Sequence, residues 1–142
     1  MKIYHCPKVY VIAQTRMNLN EVESFLQRNE FNPYRTDGSP AESLAEVAGR
    51  NCYQSFNSPR PGGTKGYIGH ILEVGHGSVL EHASWTFLVE NISRSLSHEL
   101  VRHRIASYSQ LSQRYVDESV AEYVAPEVIA EIPELYEEWL LS

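Results

Sequence analysis

Cationic, hydroxyl and amide side chains are concentrated between residues 98 and 115. Arg102, His103 and Arg104 are consecutive, and the segment SYSQLSQR follows at residues 107–114. Guanidinium groups hold phosphate oxygens in pairs, while serine and glutamine side chains suit phosphate oxygens or the edge of a base. The segment therefore predicts a site for a small anionic ligand. The alternative is a solvated helix end, where the helix dipole favours arginine.

A helix from Ser93 to about His103 would carry this cluster. At about 100° per residue, Ser95, Glu99 and Arg102 lie on one face of such a helix. A carboxylate and a guanidinium would then be presented together. The side chains of residues 102–104 point in different directions, so they would serve two ligands or one large ligand with several polar groups.

Other helices and strands must hold that helix in place. Alternating β-branched and aromatic residues predict strands over 9–14 and 84–90, and an edge strand is possible between Gln113 and Tyr123. The pattern as a whole indicates the α/β class in its mixed sense, with helices packed on a small, mostly antiparallel sheet. We expect a single domain over residues 1–142.

Capping residues and helical spacing predict five further helices. They are expected over residues 20–30 with Asn20 as the cap, from Ser39 to about Tyr53, from Thr64 to the glycine at 75, from Ser78, and from Pro126 to the end of the chain. The spacing within the third of these predicts that Tyr67, Ile68, Ile71 and Leu72 are buried.

Charge and composition exclude several classes of protein. The formal net charge is −6, and residues 116–142 hold eight acidic side chains with no lysine or arginine. That balance argues against a nucleic-acid-binding face, including RNA binding through the arginine- and tyrosine-bearing loop, because phosphate backbones need a broad basic surface. The sequence contains no apolar segment long enough for a signal peptide or a bilayer span, and Cys6 and Cys52 form no C-x-x-C pair. We therefore expect a cytoplasmic protein without a membrane partner.

Two catalytic patterns are superficially present. His98 and His103 lie five residues apart, whereas the zinc-protease motif needs histidines four apart on one helical face. We therefore predict no metal site. Ser112 lacks an obvious general base to activate it, so we expect it to bind a ligand and not to act as a nucleophile.

Three segments resemble the flavin-dependent thymidylate synthases. They are RHRIASYSQLS from Arg102 to Ser112, the preceding GHGSVLEHASWTFLVENISRSLSHELV, and GRNCYQSFNSPRP at residues 49–61. The first contains the RHR-x7-S motif of that family. The similarity covers roughly residues 44–124, so the chain is identified as an N-terminal portion of such an enzyme, shorter than the family because the second half is missing.

The resemblance implies roles for individual residues. Cofactor contacts with FAD would come from Ser78, Glu81, Arg102, His103, Arg104 and Gln110. Contacts with the substrate dUMP would come from Glu99, Arg102, Gln110, Leu111, Ser112, Gln113 and Arg114. No residue of this portion is assigned a certain catalytic role, because the flavin carries the demanding chemistry.

The resemblance also implies an activity and an assembly. The family methylates dUMP to dTMP with reduced FAD, using methylenetetrahydrofolate as the carbon donor and NADPH as the reductant, and it works as a homotetramer. A second hypothesis is a non-catalytic fragment that keeps a nucleotide- or flavin-binding surface. Such a fragment would need a complementary C-terminal polypeptide.

Overall fold

The structure is a computed structural model that describes residues 2–116 and 122–142. The chain divides into two compact units, Val11–Thr86 and Met1–Tyr10 with Phe87–Ser142. In chain order the elements are β1 (Lys2–Tyr4), β2 (Lys8–Gln14), α1 (Leu19–Arg28), α2 (Pro40–Cys52), α3 (Gly63–Glu73), a 3-10 helix (Gly77–His82), β3 (Trp85–Glu90), α4 (Arg94–Leu100), β4 (Glu122–Val124), α5 (Glu127–Ala130) and α6 (Pro133–Leu141). The single-domain organisation stays a prediction.

The Val11–Thr86 unit has a small core where α2 and α3 meet the 3-10 helix. Tyr67 and Ile71 of α3 pack with Val79, and all three are buried. Gly49 of α2 leaves room for the Tyr67 hydroxyl, which a β-carbon at that position would meet. Helical spacing predicted Tyr67 and Ile71 correctly, but it was wrong for Leu72, which is 62% exposed.

An aromatic cluster ties the loops of the same unit to α1. The ring centroids of Phe25, Phe31 and Tyr34 lie 6.2, 5.3 and 6.5 Å from that of Phe56. Phe56 is buried, and its loop follows α2. Tilted and edge-on aromatic contacts of this kind hold a loop in one place, so the chain after α2 is fixed against α1.

The start of α2 follows its local sequence closely. The Ser39 hydroxyl accepts a hydrogen bond from the Glu42 amide, and the Glu42 carboxylate accepts one from the Ser39 amide at 2.8 Å. Pro40 is at the first helical position. These bonds from Ser39 hold the pKa of Glu42 below its ordinary value. The predicted capping box and the predicted end near Tyr53 are both confirmed.

The predicted caps of α1 and α3 were wrong. Asn18 precedes α1, so Asn20 lies inside the helix. Gly62 precedes α3, and Thr64 is buried in the first turn. The Thr64 amide donates to Asp37 Oδ1 at 2.9 Å, so a carboxylate from the loop before α2 takes the role expected of the threonine hydroxyl.

The strands form two separate pairs instead of one sheet. β1 and β4 pair in parallel, with Ile3 opposite Tyr123, and β2 pairs with β3. Thr15 directly follows β2, and Ser84 directly precedes β3. The Thr15 amide donates to the Ser84 carbonyl, and the Ser84 amide donates to the Thr15 hydroxyl. The end of β2 therefore meets the start of β3, so this pair is antiparallel. The α/β class is confirmed, but the expectation of one mostly antiparallel sheet is corrected.

After residue 112 the chain departs from prediction in two places. An edge strand was predicted between Gln113 and Tyr123. The chain forms a turn up to residue 116, and β4 begins at Glu122. Residues 117–121 lie outside the described residues. The single helix predicted from Pro126 is divided into α5 and α6. Pro133 opens α6, because proline cannot donate the hydrogen bond that would continue α5.

Candidate functional site

α4 begins where the sequence predicts and ends earlier. The Ser93 hydroxyl caps it by accepting a hydrogen bond from the Leu96 amide at 3.1 Å. The helix ends at Leu100 and not at the predicted His103. The Arg102 and His103 amides donate to carbonyls three residues earlier, each at 3.1 Å, so the chain tightens into a turn.

Glu99 and Arg102 lie close together, as their spacing predicted. Arg102 Nε is 3.9 Å from Glu99 Oε1, and the two side chains are 75% and 73% exposed. An exposed ion pair contributes at most about 1 kcal/mol. The Arg102 guanidinium therefore stays available to an anionic ligand.

Arg102, His103 and Arg104 form an exposed turn directly after α4, which we call the cationic turn. The carbonyl end of α4 favours positive charge at this position. Among the described residues, Glu99 is the one carboxylate within ion-pair distance of these arginines. Two guanidinium groups and an imidazole, all open to solvent, fit the phosphate or carboxylate oxygens of a nucleotide or dinucleotide.

The loop after the cationic turn folds back onto the first turns of α4. Arg94 Nη1 donates to the Leu111 carbonyl at 2.7 Å. The Gln110 side-chain amide hydrogen-bonds the Ser97 hydroxyl, which also donates to the Arg94 carbonyl at 3.0 Å. These contacts hold the predicted nucleotide-binding loop beside the helix that carries Glu99.

Sequence reasoning did not single out Arg94 or Ser97. They lie three residues apart at the start of α4. That spacing places both side chains on one side of the helix, and it was the one sign in the sequence that they could act together. Arg94 Nε is buried and has no hydrogen-bond partner among the described residues. A buried donor without a partner costs about 1–3 kcal/mol.

Residues 112–116 close a second turn beside this loop. The Ser112 carbonyl accepts from the Val116 amide at 3.1 Å, and the Ser112 hydroxyl accepts from the Arg114 amide at 3.3 Å. The Arg114 guanidinium lies 5.6 Å from the Tyr115 ring centroid, and Leu111 and Gln113 are exposed. Ser112 thus shapes the turn and leaves the exposed Arg114 head for a ligand.

Ser78 and Glu81 lie in the other unit, on the 3-10 helix. Both are exposed. The short helix predicted from Ser78 is confirmed, but it begins one residue earlier, at Gly77 after His76, so Ser78 lies in its first turn. Ser78 is thus at the N-terminal end of this helix, as predicted, but it is not the capping residue.

Two kinds of feature are absent from the described part of the chain. Within residues 2–116 and 122–142, no three histidine, cysteine or acidic side chains come together in a way that could hold a metal ion. Over the same ranges, no helix combines the length and apolar character needed to cross a bilayer.

Three related proteins, each named flavin-dependent thymidylate synthase, align with most of this chain. The protein from Mycobacterium marinum is 52% identical over 127 residues, which cover 88% of this chain and 50% of the relative. The Mycolicibacterium vanbaalenii protein is 54% identical over 107 residues, 74% and 43% of the two chains. The Mycobacterium tuberculosis protein is 54% identical over 116 residues, 80% and 46%. The chain therefore spans about half the length of the curated relatives it matches.

A protein-family comparison gives the same answer. The family model Thy1, described as thymidylate synthase complementing protein, matches residues 36–142. That range includes α2, α3, α4, the cationic turn and the loop that folds back onto α4. The match covers well over half of the chain, and the relatives agree with it. This chain belongs to the Thy1 family of thymidylate synthase complementing proteins.

Proposed function

We propose that this protein takes part in the FAD-dependent methylation of dUMP to dTMP, with methylenetetrahydrofolate as carbon donor and NADPH as reductant. Membership of the Thy1 family and the printed name of the relatives support this proposal. The observation that carries it is the exposed cationic turn beside a loop that α4 holds in place. The flavin, when bound, supplies hydride chemistry that amino-acid side chains lack.

Arg102, His103 and Arg104 are the proposed flavin contacts at the cationic turn. Their donors suit phosphate oxygens and polar ring atoms. Ser78 and Glu81 on the 3-10 helix, together with Gln110, complete the proposed flavin set. The Gln110 amide nitrogen donates to Ser97, which leaves its carbonyl oxygen and its second N–H for the cofactor.

The proposed dUMP contacts are on α4 and on the loop that folds back onto it. Glu99 and Arg102 offer an acceptor and a donor from neighbouring positions. Residues 110–114, from Gln110 through Leu111, Ser112 and Gln113 to Arg114, offer backbone and side-chain donors. The Arg114 guanidinium would hold the phosphate, because arginine binds phosphate in a bidentate manner.

A homo-oligomer, a tetramer by resemblance, is the proposed working form. The supporting observation is the β2–β3 pair, whose apolar side chains are exposed on both strands. Val11, Ile12, Trp85 and Phe87 are each about half or more exposed in the single chain. Apolar surface of this extent is typical of a surface that another protein covers.

A cytoplasmic location completes the proposal. Cys6 and Cys52 are both exposed, unpaired thiols. Exposed thiols stay reduced in a reducing compartment.

The second candidate is a non-catalytic fragment that binds flavin or nucleotide and acts only with a complementary C-terminal polypeptide. This hypothesis is supported by length, because the chain covers only 43% to 50% of these relatives. In this case the same residues bind the ligands, but turnover requires the second polypeptide.

An absorption titration with FAD, followed by dUMP, tests the proposal. We expect a bound-flavin band that shifts when dUMP is added. Replacing Arg104→Gln should weaken FAD binding about tenfold or more, since it removes charge-assisted hydrogen bonds. The matched control is Arg28→Gln, which removes a guanidinium at the end of α1.

The outcomes separate the two candidates. FAD affinity that is equal in Arg104→Gln and Arg28→Gln would contradict the assignment of the cationic turn. Turnover by this chain alone would exclude the fragment hypothesis. Turnover that appears only after a C-terminal segment of a relative is added would support that hypothesis.

A further inference from the structure

The strand β2 has one edge without a partner strand among the described residues. Its other edge pairs with β3, while β1 and β4 form a pair of their own. All 7 residues of β2 are exposed. The N–H and C=O groups along a free strand edge are a template for pairing with another strand. This edge is therefore a candidate interaction surface.

The hydrogen bond between Thr15 and Ser84 shows which backbone groups of β2 point to the free edge. The Thr15 amide donates to the Ser84 carbonyl at 3.0 Å, so it points toward β3. Along a strand, the N–H and C=O groups of successive residues point alternately to the two edges. Odd-numbered residues of β2 therefore share the direction of Thr15. The even-numbered residues direct their backbone groups to the free edge: Lys8, Tyr10, Ile12 and Gln14.

The sequence of β2 lacks the features that keep a free edge from pairing. Free edges are commonly protected by proline, by charged side chains or by a bulge. Between Lys8 and Arg16 the sequence is VYVIAQT, with no proline and no charged side chain. Val9, Val11 and Ile12 are 62%, 57% and 60% exposed. β-Branched residues of this kind favour an extended strand with neighbours on both sides.

We propose that β2 pairs antiparallel with β2 of a second copy of this chain, about a twofold axis at Val11. The inference rests on the proposed homo-oligomer and specifies one of its contacts. In this register Tyr10 faces the partner's Ile12, and Lys8 faces the partner's Gln14. Each such pair exchanges two N–H···O=C bonds, so the twofold axis gives about eight backbone hydrogen bonds.

Charge and length favour the register at Val11 over its two nearest alternatives. A twofold axis at Ile12 would set Lys8 opposite the partner's Arg16, and like charges directly opposite each other destabilise a strand pair. A twofold axis at Tyr10 would shorten the ladder, because the end of each strand would pass the start of its partner. At Val11 the two strands of 7 residues overlap completely.

The side chains also match in this register. Val11 lies opposite the partner's Val11, and Val9 lies opposite the partner's Ala13. On the other face Tyr10 lies opposite the partner's Ile12. Apolar pairs and aromatic pairs with β-branched residues stabilise a sheet when they are directly opposite each other. Pairing therefore covers part of the apolar surface that β2 exposes in the single chain.

Disulfide formation at Val11 tests the register. The two exposed native thiols are first removed by Cys6→Ser and Cys52→Ser, and Val11→Cys is then treated with oxidised glutathione. Opposed residues that do not exchange hydrogen bonds have Cα atoms about 4.5 Å apart. This separation is within the range of about 4.4–6.8 Å that a disulfide needs. We expect a covalent dimer on a non-reducing gel.

Ala13→Cys in the same background is the matched control. In the proposed register the two copies of residue 13 are about 13 Å apart along the strands. Val11→Cys should therefore form the covalent dimer at least about tenfold faster than Ala13→Cys, whose thiols are too far apart. Equal rates, or a faster reaction at residue 13, would overturn the proposal.

Ile12→Pro tests the backbone hydrogen bonds. The amide that it removes points to the free edge and not to β3, so far-ultraviolet circular dichroism should show a folded protein. Combined with Val11→Cys, it should abolish most of the cross-linking, whereas Ile12→Thr keeps the amide and should retain it. Cross-linking that a folded Ile12→Pro variant retains in full would contradict the pairing.

Light scattering separates failure of this inference from failure of the proposed homo-oligomer. The mass of a single chain overturns both. An oligomer in which Val11→Cys does not cross-link overturns the β2 pairing alone. The FAD titration measures the proposed function independently. Cross-linking at Val11 that persists without flavin binding contradicts that function and supports the pairing.

Discussion

Glu46 and Arg50 show how single residues organise the Val11–Thr86 unit. Both are buried, at 3% and 6% exposure, and their side chains meet at 2.7 Å. The Tyr34 hydroxyl donates to Glu46 Oε2 at 3.2 Å. Burial, before any other cause, raises the pKa of Tyr34 to about 12, so the phenol stays a donor at all physiological pH values. One carboxylate thus serves two partners.

Replacing Glu46→Gln should destabilise the protein by about 3 kcal/mol, because it leaves the Arg50 charge buried without its partner. Urea unfolding followed by circular dichroism measures the free energy of unfolding. Glu21→Gln is the matched control, since Glu21 is exposed in the first turn of α1. A loss no larger than that of the control would show that Arg50 is satisfied by the Ser55 and Ser58 carbonyls alone.

At the scale of one element, the start of α3 depends on a residue far from it in sequence. Gly62 and Gly63 have φ angles of +86° and +62°, which side chains rarely adopt. A β-carbon on Gly63 would lie 2.6 Å from Asp37 Oδ2. The two glycines let the Asp37 carboxylate reach the first amides of α3, where negative charge is favoured.

The hydrogen bond from the Thr64 amide holds the pKa of Asp37 below its ordinary value. A lowered folded-state pKa means that the carboxylate stabilises the fold fully above the unfolded pKa of about 3.9. This stabilisation is lost as the pH falls through the lower folded pKa. Asp37→Asn should therefore lower Tm at pH 7, and the difference from the parent protein should close in acid.

Thermal unfolding at a series of pH values measures this difference. Glu23→Gln, an exposed position on α1, controls for the loss of one negative charge. A Tm difference for Asp37→Asn that is the same at pH 7 and at pH 2 would mean that the carboxylate charge is not what stabilises α3.

For the whole molecule, the exposed apolar side chains of the β2–β3 pair are the feature that a single chain does not explain. Ile12 is 60% exposed and Phe87 54% exposed. Burying such side chains between copies is worth about 25 cal/mol per Å². A charge placed among them would have to be desolvated on association.

Ile12→Lys should therefore shift the protein toward monomers. Size-exclusion chromatography with light scattering measures the mass in solution. Leu72→Lys is the matched control, because Leu72 is equally exposed, at 62%, but lies on α3 outside the strand pair. Unchanged mass for Ile12→Lys, or the same loss of mass for both variants, would place the interface elsewhere.

Features that depend on near neighbours in the chain follow from the amino-acid sequence alone. Three predicted features are present: the capping box at Ser39 and Glu42, the strand β3, and the Ser93 cap of α4. Glu99 and Arg102 also lie together as predicted. Each involves residues within about four positions, where helix or strand geometry alone sets the separation.

Contacts between residues that are distant in sequence could be known only from the folded chain. Arg94 bonds the Leu111 carbonyl, and Asp37 replaces the predicted Thr64 cap. The exposure of Leu72 and the division of the strands into two pairs also depend on the folded chain. These outcomes depend on the path of the backbone through turns and paired glycines. Local spacing does not encode that path, because many loop conformations satisfy the same short-range preferences.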